Sequence, residues 1–448
     1  MKKVALSLAS VLVATAFAPE ASAVPAFARQ TGMACNACHF QHFPLLNAFG
    51  RAFKSSGFTM MGAQGKVEGE HLSIPAQLNM NVLATAGWQT ESNSGRVTTP
   101  GGNTSNSGVL LPNQGGELSL FFGGRVTENA GFLSELAFPD NAPVTSAAKL
   151  MLLWDVGSNT RAGAVVMSNQ DPSYSFETLN TGANSAHRLM GNRGPANQHI
   201  NVTSAHQYLG VVKGNGVSAL ITNPSVGFIN IGKYTTVPAA LSVTGAPQNQ
   251  TDTFNQTYIR GAYLFEAAGW DAAVGIQNYS GKDSTDRALT AAAALDTRQT
   301  VIDGQMQGEA GGMPLGIYAS YGTAPTSTNG NVFNGGTANT TLANPGATSK
   351  RSFNIAAELG VIPHKATLQL AFRSARTGWG TLPAALAVVN ATGDNDNAVM
   401  IGGTYELAQN MELSLTHTSQ SGSAWSPAAG GQENIGKTAT TFLLETLF

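Results

Sequence analysis

"SFNIAAELGVIPHKATLQLAFRS", Ser352 to Ser374, is the stretch whose reading decides the fold. In its first half Phe353, Ile355, Ala357, Leu359 and Val361 alternate with Ser352, Asn354, Ala356, Glu358 and Gly360. Successive side chains of a strand point to opposite faces, so a period of two gives one apolar and one mostly polar face. The second half repeats the pattern, with Ala366, Leu368, Leu370 and Phe372 set against Thr367, Gln369, Ala371 and Arg373. The short link from Ile362 to Lys365 makes the pair a hairpin.

The same rhythm recurs in "ELSLFFGGR", with Leu118, Leu120 and Phe122 outward, and in "MELSLTHT", where Met411, Leu413 and Leu415 oppose Glu412, Ser414 and Thr416. Alternation alone suits a soluble sandwich as well as a membrane barrel. Connection lengths separate the two. Short links near 127–131, 157–160, 213–217, 266–270, 309–314, 361–365 and 405–411 alternate with longer ones near 91–114, 139–147, 170–205, 235–253, 280–298, 324–350, 377–396 and 421–436. That order predicts an all-β, transmembrane outer-membrane barrel with short periplasmic turns and long outer loops.

The strand count turns on "VSALITNPSVGFINIGKY", Val217 to Tyr234. Single-chain bacterial barrels have an even number of strands, so this stretch is read as one strand with a bulge at Pro224, giving about sixteen antiparallel strands. The closing "TTFLLETLF" places Phe442, Leu444 and Phe448 on one face, and its terminal aromatic resembles the assembly signal of outer-membrane barrels.

Composition and the amino-terminal stretch agree with export. Lys2 and Lys3, the apolar run "VALSLASVLVATAFA" and "EASA" at Glu20 to Ala23 are the three regions of a secretory signal peptide, so 1–23 is expected to be a leader. No later window offers ~18 consecutive apolar residues, which excludes a transmembrane helix after it. Only 11% of residues are charged and the net charge is −2, with no basic run, so nothing suggests a nucleic-acid partner.

Both cysteines of the chain fall in "MACNACHFQHF", Met33 to Phe43. "CNACH" is the full C-x-x-C-H pattern of c-type haem attachment, in which two thiols bind the haem covalently and the following His39 coordinates its iron. A zinc site needs two more soft or imidazole ligands and the chain has no second cysteine pair, while a thioredoxin-like pair wants a βαβ setting. Residues 24–71 are thus expected to form a small α-helical c-type haem domain and 72–448 the barrel. About 48 residues are marginal for an independent core, so the haem domain should rest on or inside the barrel.

For the second axial ligand the stretch offers Met33, His42, Met60, Met61 and His71. On a helix continuing from His39, His42 would lie on the same side, and Met33 is too near the attachment site. Met60 or Met61 can return to the distal face after Leu45, Leu46, Phe49 and Phe53, which have helical spacing, with Gly57 as a stop. A thioether opposite His39 would raise the reduction potential.

"PAFARQTGMACNACHFQHFPLLNAFGRAFKSSGFTM", Pro25 to Met60, resembles the start of the fused outer-membrane monohaem cytochrome-porin iron oxidases: P-x-F-A-R-Q-T-G, the CxxCH, then P-x-L-N-x-F-G-R-x-F-K-x-x-G-[YF]. Beyond Leu72 the likeness is architectural. The resemblance implies one covalent haem c on Cys35 and Cys38, His39 as its proximal ligand and Met60 as the distal one. It also implies Fe(II) as extracellular electron donor and a periplasmic cytochrome c as acceptor, in an outer-membrane protein of iron-oxidase type. "FQHF" is slightly longer than the family pattern and introduces His42, which keeps a bis-His arrangement open. Transient contacts for iron are sought among the loop acids Asp171, Asp252, Asp283, Asp286, Asp394 and Asp396, oxygen ligands suited to a hard cation. Glu358, Gln369, Arg373, Glu412 and Glu445 should face the lumen, as ordinary barrel filling would. Two other functions fit the same sequence: a diffusion porin with a structural haem, and outward electron transfer to an external acceptor.

Overall fold

In the computed structural model of the chain, the polar face of the Ser352–Ser374 hairpin turns inward and its apolar face outward. Glu358 and Asn354 are fully buried, while Leu368 and Leu370 are each 57% exposed. The structure describes residues 26–62, 64–92, 106–139, 143–182, 202–210, 212–236, 254–282, 295–328, 330–334, 348–378, 394–423 and 437–448. The expected leader lies outside them.

Three short helices come first: α1 (Ala26–Thr31), α2 (Cys35–Cys38) and α3 (Ala48–Ser55). A small hairpin follows, β1 (Lys66–Gly69) and β2 (Leu72–Pro75). Then come β3 (Met80–Ser92), β4 (Asn106–Pro112), β5 (Gly115–Gly116), β6 (Leu118–Thr127), β7 (Ala130–Ala137), β8 (Thr145–Gly157) and β9 (Thr160–Gln170). Helices α4 (Pro172–Phe176) and α5 (Ala205–Leu209) interrupt the series. It resumes with β10 (Gly214–Asn223), β11 (Gly227–Thr236), β12 (Gln256–Ala267), β13 (Trp270–Gly281), β14 (Gln299–Ala310) and β15 (Met313–Ala324). The last five are β16 (Lys350–Ile362), β17 (Ala366–Arg376), β18 (Asn395–Ala408), β19 (Met411–Ser421) and β20 (Lys437–Leu447).

β3 and β6 to β20 form a closed antiparallel ring of sixteen wall strands, because β20 returns to pair with β3. β4 lies against the second half of β3, whose first residues pair with β6, so it adds no separate wall strand. Closure leaves no strand edge unpaired. At the seam Val82 N donates to Phe448 O at 2.7 Å and Phe448 N donates back at 3.0 Å. All seven tight turns lie at one end; Gly311 and Gly312, at φ 62° and 78°, supply the left-handed pair that a two-residue hairpin turn needs.

Two expectations are corrected. Val217 to Tyr234 is not one bulged strand: β10 ends at Asn223 and β11 begins at Gly227, with Val226 N donating to Asn223 O at 3.1 Å across a tight turn. Pro224 sits in that turn, where its missing N–H disturbs no ladder. The total of sixteen survives because the stretch between the links expected at 170–205 and 213–217 is not a strand; it holds α5, started by Ser204, whose hydroxyl accepts from His206 N. The alternation that begins at Leu72 belongs to the small hairpin, and the wall itself begins at Met80.

The lumen is filled. α4, α5 and the residues beside them fold into it: Lys149 Nζ donates to Tyr174 O at 2.6 Å, Ala205 N to Ser320 Oγ at 2.8 Å and Asn354 Nδ2 to Val202 O at 2.6 Å. Tyr208, Tyr234, Tyr258, Tyr279 and Phe333 pack together there. A buried ionic group crosses the same space, with Arg260 2.8 Å from both Glu177 and Asp303, and His206 2.6 Å from Asp303. Buried polar groups are tolerated only when paired in this way.

Candidate functional site

Residues 26–62 form a plug in the turn end of the barrel, tied to the wall from several sides. Gln30 Nε2 donates to Phe58 O and Met60 O at 2.6 and 2.7 Å, while its carbonyl accepts from Asn79 and from Arg125 N on β6. Arg161 on β9 donates to Ser56 O at 2.6 Å and to Thr59 Oγ1 at 3.0 Å. Arg51 pairs with Asp271 on β13 and donates to Gln307 on β14 at 3.3 Å. The stacked rings of Phe27 and Phe58, with Phe53 at their edges, join Met151, Leu153 and Val165 of the wall in one apolar cluster. Contact is close at Gly131 on β7, where a Cβ would stand 1.8 Å from Gly57 O.

α2 carries Cys35 and Cys38 on a single turn, and both thiols are free and half-buried. Cys35 Sγ lies 3.6 Å from Asn410 Oδ1 in the β18–β19 turn, which places the motif at the level of the barrel rim. α3 locks the motif from behind. Asn47 caps α3 by accepting from Gly50 N at 2.9 Å, and it also donates to Ala37 O at 3.0 Å. Gly50 touches the backbone of Cys38 so closely that a Cβ would stand 2.0 Å from Cys38 O.

His39 leaves the helix in extended conformation, and its Nδ1 is 3.1 Å from Leu45 O. A carbonyl can only accept, so Nδ1 carries the proton and the lone pair lies on Nε2, the arrangement that prepares an imidazole to bind a metal. Burial, partly opposed by that hydrogen bond, lowers the pKa of His39 to about 4, which keeps the ring neutral. Two free thiols and an oriented neutral imidazole in C-x-x-C-H order fit a covalent haem.

His42 is set differently from the expectation of a continuing helix. The helix ends at Cys38, Gln41 takes a left-handed φ of 68°, and the His42 ring turns to the wall. Nδ1 donates to Phe43 O at 2.6 Å and Nε2 to Glu358 at 2.8 Å, with Glu412 3.5 Å from Nδ1. Burial pulls its pKa down, but Glu358 and Glu412 outweigh this and raise it to about 10. Both nitrogens are engaged in the charged form, so His42 anchors the plug and has no lone pair for iron. His71 is at the exposed tip of the β1–β2 hairpin. Met60 lies beside Gln30, 37% exposed, and Met61 follows it half-buried. Of the expected helical residues, Leu45 and Phe53 are buried, whereas Phe49 faces outward and Leu45 and Leu46 precede α3.

The loop acids divide. Asp171 is fully buried and accepts from Ser173, Tyr279 and Val212 N, and Asp396 pairs with Arg373 and accepts from Tyr208 at 2.9 Å. Neither has an oxygen turned to solvent for iron. Asp394 is half-exposed and accepts from Thr348 at 3.0 Å. Asp252, Asp283 and Asp286 lie outside the described residues. Glu358, Gln369, Arg373 and Glu445 are buried on the inner face as expected, with Glu412 half-buried beside His42. Among the described residues no group of three or more His, Cys, Asp or Glu side chains is arranged to hold a bare metal ion. Gln30 and Arg51 stand in the motif quoted for the family resemblance and Arg161 carries no sequence signal, but the anchoring role of all three is defined only by what each meets across the barrel.

No protein-family model and no curated protein sequence matches the chain. Among solved structures, OprB of Pseudomonas putida superposes with a TM-score of 0.50 at 8% identity, over 82% of this chain and 94% of that one. That likeness shows the fold, a closed porin-like barrel. The DcaP channel of Acinetobacter baumannii (TM-score 0.44, 12% identity, 83% and 98% covered) and the anion-selective porin of Comamonas acidovorans (0.41, 12%, 83% and 100%) are similar more distantly. In such a porin-like barrel the outward apolar side chains face lipid, and the short turns, with the plug, face the periplasm. Leu370→Arg, at mid-height of β17, is therefore expected to destabilise the barrel by about 2–4 kcal/mol. Denaturant unfolding in detergent reads this as a lowered midpoint.

Proposed function

We propose that this porin-like protein moves electrons from Fe(II) outside the cell to a periplasmic carrier, holding one covalent haem at its plug. Cys35 and Cys38 would bind the haem, His39 Nε2 would be the proximal ligand, and Met60 the distal one by resemblance. Haem bound there supplies a site that stores and releases single electrons. The observation that carries the reading is His39 itself: beside two free thiols at the rim, its Nδ1 is fixed on Leu45 O and its Nε2 is left for a metal. The buried inward residues weigh against free diffusion of solutes through the lumen. Each Fe(II) loses one electron and leaves as Fe(III).

Stopped-flow mixing of Fe(II) with the oxidised, detergent-purified protein tests this. Appearance of the reduced haem band is expected, and Met60→Ala is expected to lower the reduction potential. An oxidised spectrum that Fe(II) leaves unchanged rejects the iron-oxidase reading. A second reading, a diffusion channel with a structural haem, is favoured by the likeness to OprB. It requires liposomes carrying the protein to swell in small sugars, which the filled lumen opposes.

A further inference from the structure

The periplasmic rim carries acidic residues at five of its seven turns: Glu128, Asp155, Glu266, Glu309 and Glu406. No cation pairs with Glu128, Glu266 or Glu309 among the described residues. Asp155 is held by Arg161 at 3.0 Å. Lys365, the turn lysine, stands over the Tyr405 ring, while Arg29 and Arg125 direct their guanidinium groups to Met80 O and Thr59 O. Glu406 is near enough to Cys35 that its charge, after burial, raises the thiol pKa. Inside this rim the plug presents apolar side chains, with Met33 41% and Phe49 37% exposed.

We propose that this face docks a lysine-rich periplasmic electron carrier, its basic ring meeting the acidic turns and its apolar centre meeting Met33 and Phe49. The proposal deepens the electron-transfer reading and rests on it. An apolar centre within a charged rim is the anatomy of a transient protein interface, and opposite charges steer the encounter more than they hold the complex. The partner must then be basic. An acidic carrier would be repelled at five of the seven turns.

Binding and electron transfer are measured separately on the full haem-loaded protein, with a small lysine-rich c-type cytochrome and with the same cytochrome after its lysines are succinylated. Calorimetry is expected to show binding of the basic form alone. Its reaction rate should fall about tenfold or more from low to near-physiological salt. Glu128→Lys with Glu266→Lys and Glu309→Lys, all on exposed turns, is expected to weaken the basic form and admit the succinylated one. Equal binding of the two forms, or a rate indifferent to salt in the unaltered protein, overturns the proposal. Salt-dependent docking of the basic form without electron transfer upholds the docking surface and rejects the electron-transfer reading.

Discussion

Cys35→Ala combined with Cys38→Ala is expected to leave a folded barrel that has lost its covalent haem entirely. After denaturing electrophoresis the unaltered chain should keep haem-dependent peroxidase staining, and the double variant should keep none. Each single variant keeps one thioether position and should stain weakly. His39→Ala should retain the stain but shift the haem spectrum, because it removes Nε2 and leaves both thiols. The barrel survives in all of these because the plug is seated by Gln30, Arg51, Arg161 and His42, none of which belongs to the attachment motif. A colourless unaltered chain, produced in a host that attaches c-type haem, would sink the haem assignment and with it the electron-transfer reading.

Arg260→Met is the substitution with the largest expected effect on stability. The side chain of Arg260 is 1% exposed and lies 2.8 Å from each of two buried carboxylates, Glu177 and Asp303. Removing it leaves both anions with His206, which reaches Asp303 alone. Breaking a buried ion pair from one side typically costs about 3–5 kcal/mol, because the abandoned charge stays out of water. The expected result is a lowered denaturation midpoint together with loosening of α4 and α5, seen as earlier proteolysis within that segment. Adding Glu177→Gln and Asp303→Asn should recover much of the loss, since the charges that needed Arg260 are then gone. A midpoint unchanged in the single variant would mean that the network does not hold the lumen segments in place.

The wall of this protein is legible in its sequence because each strand states its own two faces. Phe353 and Leu370 read as outward and Glu358 and Gln369 as inward without knowledge of any partner strand, and the turns need only local residues. The error at Pro224 shows where local reading stops. A proline between two apolar runs fits a bulge or a turn equally, and an even strand total points to the bulge only if the segment holding α5 is a strand, which it is not. At the candidate site the covalent motif was local and readable. The fate of His42 was not, because it depends on Glu358, 316 residues away, and the position of Arg51 likewise depends on Asp271, 220 residues away. Such pairs exist only once the ring has closed.

The tethering of the plug to so many strands has a consequence for how the molecule comes to exist. The plug precedes β3 in the chain, and its partners run from Asn79 and β6 round to Glu358 on β16 and Asn410 before β19. A partial sheet offers only some of these partners, and a finished ring, sealed between Val82 and Phe448, leaves no lateral gap through which a folded plug could enter. Once the seam has shut, the turn end is the one way in for the plug, and the contacts that hold it there span nearly the whole ring.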